Sequence, residues 1–176
     1  MIELISNRCA AKILFFFLRR PSLQITQLEL IKKVKLAKGT VIKWLDFLAE
    51  KEILKFVKFG RSKVYSLNKE NTTVKNLKKI DNLSLIENIK KTIKEYNLKA
   101  YLYGSAARGE DVEESDIDII IIGRVKKEDI ISEINKISEK IGRNIRIEVF
   151  TEQSWSEMAR KDPAFYERVE KDKIKL

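Results

Sequence analysis

An α+β chain of two domains is what this sequence predicts, and three observations carry the expectation. The first is charge: residues 1–80 hold 18 of the 36 Lys and Arg but only 6 of the 26 Asp and Glu, so the whole basic excess lies there. The second is pattern, because helix-period segments followed by a β-hairpin fill residues 1–70. Helical and strand-like runs then alternate through residues 80–176, in the manner of a small α/β domain. The third is a polar stretch from Asn68 to Asn76, which reads as the boundary. A strongly basic half beside a nearly balanced one points to a polyanionic partner for the first.

Composition narrows the chemistry. The 176 residues include no His and one Cys, with 44% hydrophobic residues, enough for a real core. Without His there is no Ser-His-Asp triad and no His-bound metal. The lone Cys9 excludes an internal disulfide and a Cys-rich zinc site. Any catalysis rests on carboxylates, hydroxyls and basic side chains. The longest apolar run, Ile13 to Leu18, is far short of the roughly 20 residues a membrane span needs. Met1 to Arg20 loosely imitates a signal peptide, but Glu3 precedes its apolar stretch and no small-residue cleavage site follows. A cytoplasmic protein that does not engage the membrane is expected.

Arg8 to Arg19 carries an apolar pattern free of Pro and Gly that stops before Pro21, which predicts a buried helix, suited to a core or to a homodimer interface. Thr26 is the expected N-cap of a short helix reaching Val34, with Leu28, Ile31 and Val34 on one face. A turn around Lys35 to Gly39 leads to a third helix ending near Lys51, with Val41, Leu45 and Leu48 inward and Lys38, Thr40 and Lys43 outward. Ile53 to Val57 and Lys63 to Leu67 read as two strands around Phe59-Gly60-Arg61-Ser62, a hairpin whose tip carries Lys58, Arg61 and Lys63. Three helices and a basic hairpin resemble the winged helix-turn-helix of many prokaryotic regulators. The resemblance implies DNA binding through Lys38, Thr40, Lys43, Lys58, Arg61 and Lys63.

The second half holds the sharper motif. Leu83 to Tyr96 has a helical period and Lys99 to Tyr103 a strand-like one. Then come Gly104-Ser105-Ala106-Ala107-Arg108-Gly109-Glu110 and, after an acidic stretch, Ser115-Asp116-Ile117-Asp118-Ile119-Ile120-Ile121-Ile122. Glycine allows the backbone to approach a phosphate, to which the following N–H groups and the Ser105 hydroxyl can donate. Arg108 adds positive charge one turn on. On a strand, Asp116 and Asp118 project to the same side about 6.5–7 Å apart. Two such carboxylates repel unless a hard cation such as Mg²⁺ lies between them.

This Gly-Ser and Asp-X-Asp arrangement resembles the nucleotidyltransferase superfamily of DNA polymerase β and kanamycin nucleotidyltransferase, and within it the minimal nucleotidyltransferases. The resemblance spans about residues 83–160. It implies a mixed sheet and the transfer of a nucleoside monophosphate, AMP from ATP or the equivalent from another nucleoside triphosphate, to a hydroxyl. It further implies two Mg²⁺ ions held by Asp116 and Asp118, with Gly104, Ser105 and Arg108 on the triphosphate. Family members add a third carboxylate on a neighbouring strand. Asn144 to Thr151 alternates as a strand after a helix from Lys127 to Ile141, and Glu148 is its only acid. Glu148 is therefore the candidate third ligand, a Glu where Asp is more usual, with Arg146 and Arg143 as the ion-pair partners it would have in a purely structural role. Thr151 caps a further helix, and Trp155, Met158, Phe165 and Tyr166 are expected to pack on the sheet.

Some minimal nucleotidyltransferases are antitoxins that adenylylate a tyrosine of a HEPN-type partner toxin, which makes a partner protein one acceptor to consider here. Two other readings stand beside it. One is a DNA-binding regulator whose second domain only binds nucleotide; the other is direct action on a nucleic acid delivered by the winged helix.

Overall fold

The computed structural model describes residues 6–60 and 62–176. Its contacts divide into two units, Met1–Leu77 and Lys78–Leu176.

In the first unit, helix α1 (Arg8–Leu18) is capped by Asn7, whose side chain accepts from the N–H groups of Cys9 and Ala10. Ala10, Ile13, Leu14, Phe17 and Leu18 form its buried stripe. Strand β1 (Gln24–Thr26) runs straight into α2 (Gln27–Val34). Thr26 and Glu29 close a capping box there: Glu29 N–H donates to the Thr26 hydroxyl, and Thr26 N–H donates to the Glu29 carboxylate at 2.9 Å. The buried residues of α2 are Leu30 and Val34, one turn apart, whereas Leu28 is 63% exposed. The inward face expected from Leu28, Ile31 and Val34 is thus rotated by somewhat under a quarter turn, with Val34 inward as expected and Ile31 half-buried at its edge. Lys35 takes up the left-handed conformation (φ +51°) that turns the chain, and Gly39 lies inside α3 (Lys38–Glu50). Trp44 joins Val41, Leu45 and Leu48 in the core.

Strands β2 (Leu54–Phe59) and β3 (Ser62–Leu67) form the antiparallel hairpin, and β1 pairs with the far edge of β3. The sheet order is β1-β3-β2, with Tyr65 buried at its centre. Lys38, Lys43 and Lys58 are exposed and Thr40 half-buried, as is Lys63, which pairs with Asp46 at 3.4 Å. Arg61 lies outside the described residues. The stretch expected as a boundary is partly helical: α4 (Thr72–Leu85), with Asn71 accepting from Thr73 N–H, runs across the division between the units.

The second unit is built on a mixed sheet of order β6-β5-β4-β7. Its strands are β4 (Lys99–Tyr103), β5 (Ile117–Ile122), β6 (Ile145–Phe150) and β7 (Ile174–Lys175), parallel only between β5 and β6. The helix expected over Leu83 to Tyr96 is broken, since α4 ends at Leu85 and α5 is Ile89–Glu95. Helix α6 (Gly104–Arg108) follows β4, and α7 (Lys127–Ile141) carries the chain from β5 to β6. Helices α8 (Glu152–Lys161) and α9 (Pro163–Asp172) complete the unit.

Strand alternation sets two cores. Ile117, Ile119, Ile121, Ile145 and Ile147 bury one face against Ile130 and Ile134 of α7 and Ala106 of α6. Ile120 and Ile122 bury the other beneath Trp155, Phe165, Tyr166 and Val169 of α8 and α9, where the aromatic residues pack as expected. An isoleucine run buried on both faces is what a central strand requires. Among the described residues no helix is long and apolar enough to cross a membrane.

Candidate active site

Side chains of paired strand residues emerge on the same side of a sheet. Asp118 pairs with Tyr103 on β4 and with Arg146 on β6. Tyr103, Asp118 and Arg146 therefore form one row across the α8–α9 face, and Tyr101, Ile120 and Glu148 form the next. Asp116 directly precedes β5, and its carboxylate meets the same Arg146 guanidinium. A polar row thus lies at the carboxyl end of β4, with Glu148 reaching it from the next.

That row opens into a cleft of about 440 Å³ lined by Gly104, Arg108, Asp118 and Glu148, with Tyr103, Arg146, Phe165 and Arg168 around them. Gly104 sits at φ +72°, and a Cβ there would lie 2.9 Å from Asp118 Oδ2. The turn after β4 and the Asp118 carboxylate are packed together as closely as a residue without a side chain allows. Ser105 follows at the start of α6, half-buried.

The acids are held differently. Asp116 accepts from Asn144 Nδ2 at 2.9 Å and from the Arg146 guanidinium, which also reaches Asp118 at 3.9 Å. Burial pushes the Asp118 carboxyl up, and the charges of Asp116 and Glu148 push the same way against Arg146 and Arg168. Glu148 accepts from the Tyr103 hydroxyl at 3.2 Å. Burial and the adjoining carboxylates hold the Tyr103 phenol far above its ordinary value, so it remains a donor. Neither Arg146 nor Arg143 pairs with Glu148: the first is taken by the two aspartates, the second turns inward. Among the described residues no three metal-ligating side chains are gathered closely enough to form a ready-made metal cage.

Arg108 donates from Nε to Glu110 at 2.8 Å and from Nη1 to Asp172 at 3.0 Å, tying α6 to the end of α9. Behind α6 lies a buried polar network. Asp111 accepts from Asn82 Nδ2 at 2.9 Å and Arg143 Nη1 at 3.0 Å, and it faces Lys78 Nζ at 3.3 Å. Asn82 also donates to the carbonyl of Ala106, and Arg143 donates to that of Ser115. Both segments that carry the motif are thereby anchored from behind.

Tyr103, Arg146, Phe165 and Arg168 join the cleft without having been singled out as functional. Only Arg146 had a local signal, its two-residue spacing from Glu148; the others arrive through strand pairing and helix packing. No curated protein matches the chain. Residues 87–171, which include strands β4, β5 and β6, the cleft and every candidate acid, match the family model described as "Polymerase beta, Nucleotidyltransferase".

Proposed function

We propose that the second unit transfers a nucleoside monophosphate, AMP from ATP in the first instance, to a hydroxyl acceptor. The observation that carries this reading is the contact of Gly104 with Asp118 inside a cleft that Glu148 also lines. It sets the backbone of the turn after β4 directly beside a pair of carboxylates.

The donor set fits a divalent cation. Asp116 and Asp118 already share one guanidinium, and burial, with Asp116 and Glu148 adding to it, holds the Asp118 carboxyl above its ordinary value. Asp116 and Asp118 would hold Mg²⁺, with Glu148 as third ligand. Two such ions, when bound, polarise the α-phosphate, activate the acceptor oxygen and neutralise the departing pyrophosphate. The chain's own groups do the rest. Gly104 and Ser105 offer donors to the triphosphate, joined by Arg108. Tyr103 orients Glu148 by hydrogen bonding, and Glu148 is positioned to accept the acceptor's proton. The aromatic wall of Phe165 excludes water from one side of the cleft.

The first unit is proposed to bind DNA as a winged helix. Its three helices, its β1-β3-β2 sheet and the exposed Lys38, Lys43 and Lys58 support that reading, with Thr40 at the start of α3. Lys63 contributes less than the others because Asp46 neutralises it. A HEPN-type partner protein remains one acceptor to test.

The experiment is a transfer assay with ATP labelled at the α-phosphate, Mg²⁺ and extract as acceptor source. Label carried into macromolecules by wild type and lost in Asp118→Ala supports transfer. Retained ATP binding with no transfer to any acceptor would favour a nucleotide-sensing regulator, a reading the Arg146 contact with both aspartates supports.

A further inference from the structure

Three cations line the cleft, and they are not equivalent. Arg108 is committed to Glu110 and Asp172, and Arg146 to Asp116 and Asp118. Arg168 has no carboxylate within ion-pair distance among the described residues. Its guanidinium carbon stands 5.4 Å from the Phe165 ring centroid, one helical turn back. Phe165 is itself fixed edge-on against Tyr103 and Trp155, at 6.0 and 6.2 Å between ring centroids. The next residue, Val169, is fully buried, so α9 is anchored at that turn. A rigid helix therefore presents an exposed guanidinium, stacked on one face and open at its edge, to the cleft that holds Asp118. Its charge acts on both Asp118 and Tyr103.

A stacked guanidinium keeps its N–H edge for in-plane acceptors, and pairs of phosphate oxygens match that edge. We infer that Arg168 is the principal protein cation for the polyphosphate tail of the nucleotide, and that Arg108 serves chiefly to fasten α6 to α9. This rests on the nucleotide-binding reading above and names the contact that would hold the two phosphates leaving as pyrophosphate.

Equilibrium binding of ATP, AMP and inorganic tripolyphosphate to the full chain with Mg²⁺ tests it. The variants are Arg168→Ala and Arg168→Lys, both at an exposed position that leaves folding intact, as circular dichroism would verify. Arg168→Ala weakens ATP and tripolyphosphate by roughly tenfold or more and AMP by much less, since a charge-assisted bond to phosphate is lost. Arg168→Lys restores part of the loss, because an ammonium keeps the charge without the fork. Unchanged tripolyphosphate affinity in Arg168→Ala, or equal losses for ATP and AMP, overturns the inference while the nucleotide reading stands. If wild type binds neither ATP nor tripolyphosphate, the nucleotide reading itself fails and the inference goes with it.

Discussion

Asp111→Asn is expected to destabilise the second unit more than any change at the mouth of the cleft. Asp111 is 3% exposed and faces two cations, Lys78 and Arg143, of which Lys78 is 5% exposed. The amide keeps the size of the side chain and can still accept from Asn82, but its NH2 group then stands where Oδ2 accepted from Arg143 and faced Lys78, so the charge and that acceptor are lost together. Breaking a buried ion pair from one side costs about 3–5 kcal/mol, because the remaining charge is left uncompensated. Against a total stability of about 5–15 kcal/mol for a domain, that is a loss of roughly a fifth or more. At about 4–8 °C per kcal/mol for a domain of this size, the melting transition falls by roughly 12–40 °C. Lys78→Met should behave differently. Burial pushes the Lys78 ammonium down, and the Asp111 carboxylate keeps Arg143, so an apolar chain there costs little or stabilises. Urea unfolding followed by circular dichroism measures both. A cost below about 1 kcal/mol for Asp111→Asn would refute the network as a charge-balanced anchor.

Other consequences follow from the same geometry. Gly104→Ala pays about 1–2 kcal/mol for a side chain at positive φ and displaces the Asp118 carboxylate, so urea titration should show lower stability and ATP affinity should fall with it. Unchanged values in both would mean the close approach is incidental. Asp118→Asn should raise stability at neutral pH, since the native carboxyl is held above its ordinary value and ionising it opposes folding. The sign fixes the pH window: wild type keeps its full stability below the ordinary carboxylate range and loses it as pH rises through the raised value. The advantage of Asn therefore shrinks on acidification, and a variant less stable at pH 7 would contradict the burial of an ionised Asp118 carboxyl as a cost to folding. Arg146→Ala should tighten Mn²⁺ binding by roughly three- to tenfold in calorimetry, by removing a partly exposed competitor from both aspartates. Weaker binding would show that Arg146 instead aims the carboxylates.

How much was legible in the sequence depended on how local each signal was. Gly104, Ser105, Asp116 and Asp118 lie within one short segment, and the strand period alone puts the two acids on one side. Glu148 emerged the same way from alternation along β6. The partner of Arg146 did not, because it depends on the register that sets Arg146 beside Asp118. Leu28 was misplaced because eight residues give barely two helical turns, too few for a period to choose between neighbouring faces. Strand β1 is three residues long and exists only by pairing with β3. Lys78, Asp111 and Arg143 resemble surface charges in any local window, and only tertiary packing buries them.

Calorimetric titration of ATP with Mg²⁺ into the full chain, wild type against Asp116→Asn/Asp118→Asn, tests the central claim most directly. Metal-dependent binding in wild type that disappears in the double variant is the expected result. ATP binding that ignores Mg²⁺, or that survives the loss of both carboxylates, would contradict the site and leave the basic first unit as the guide to function.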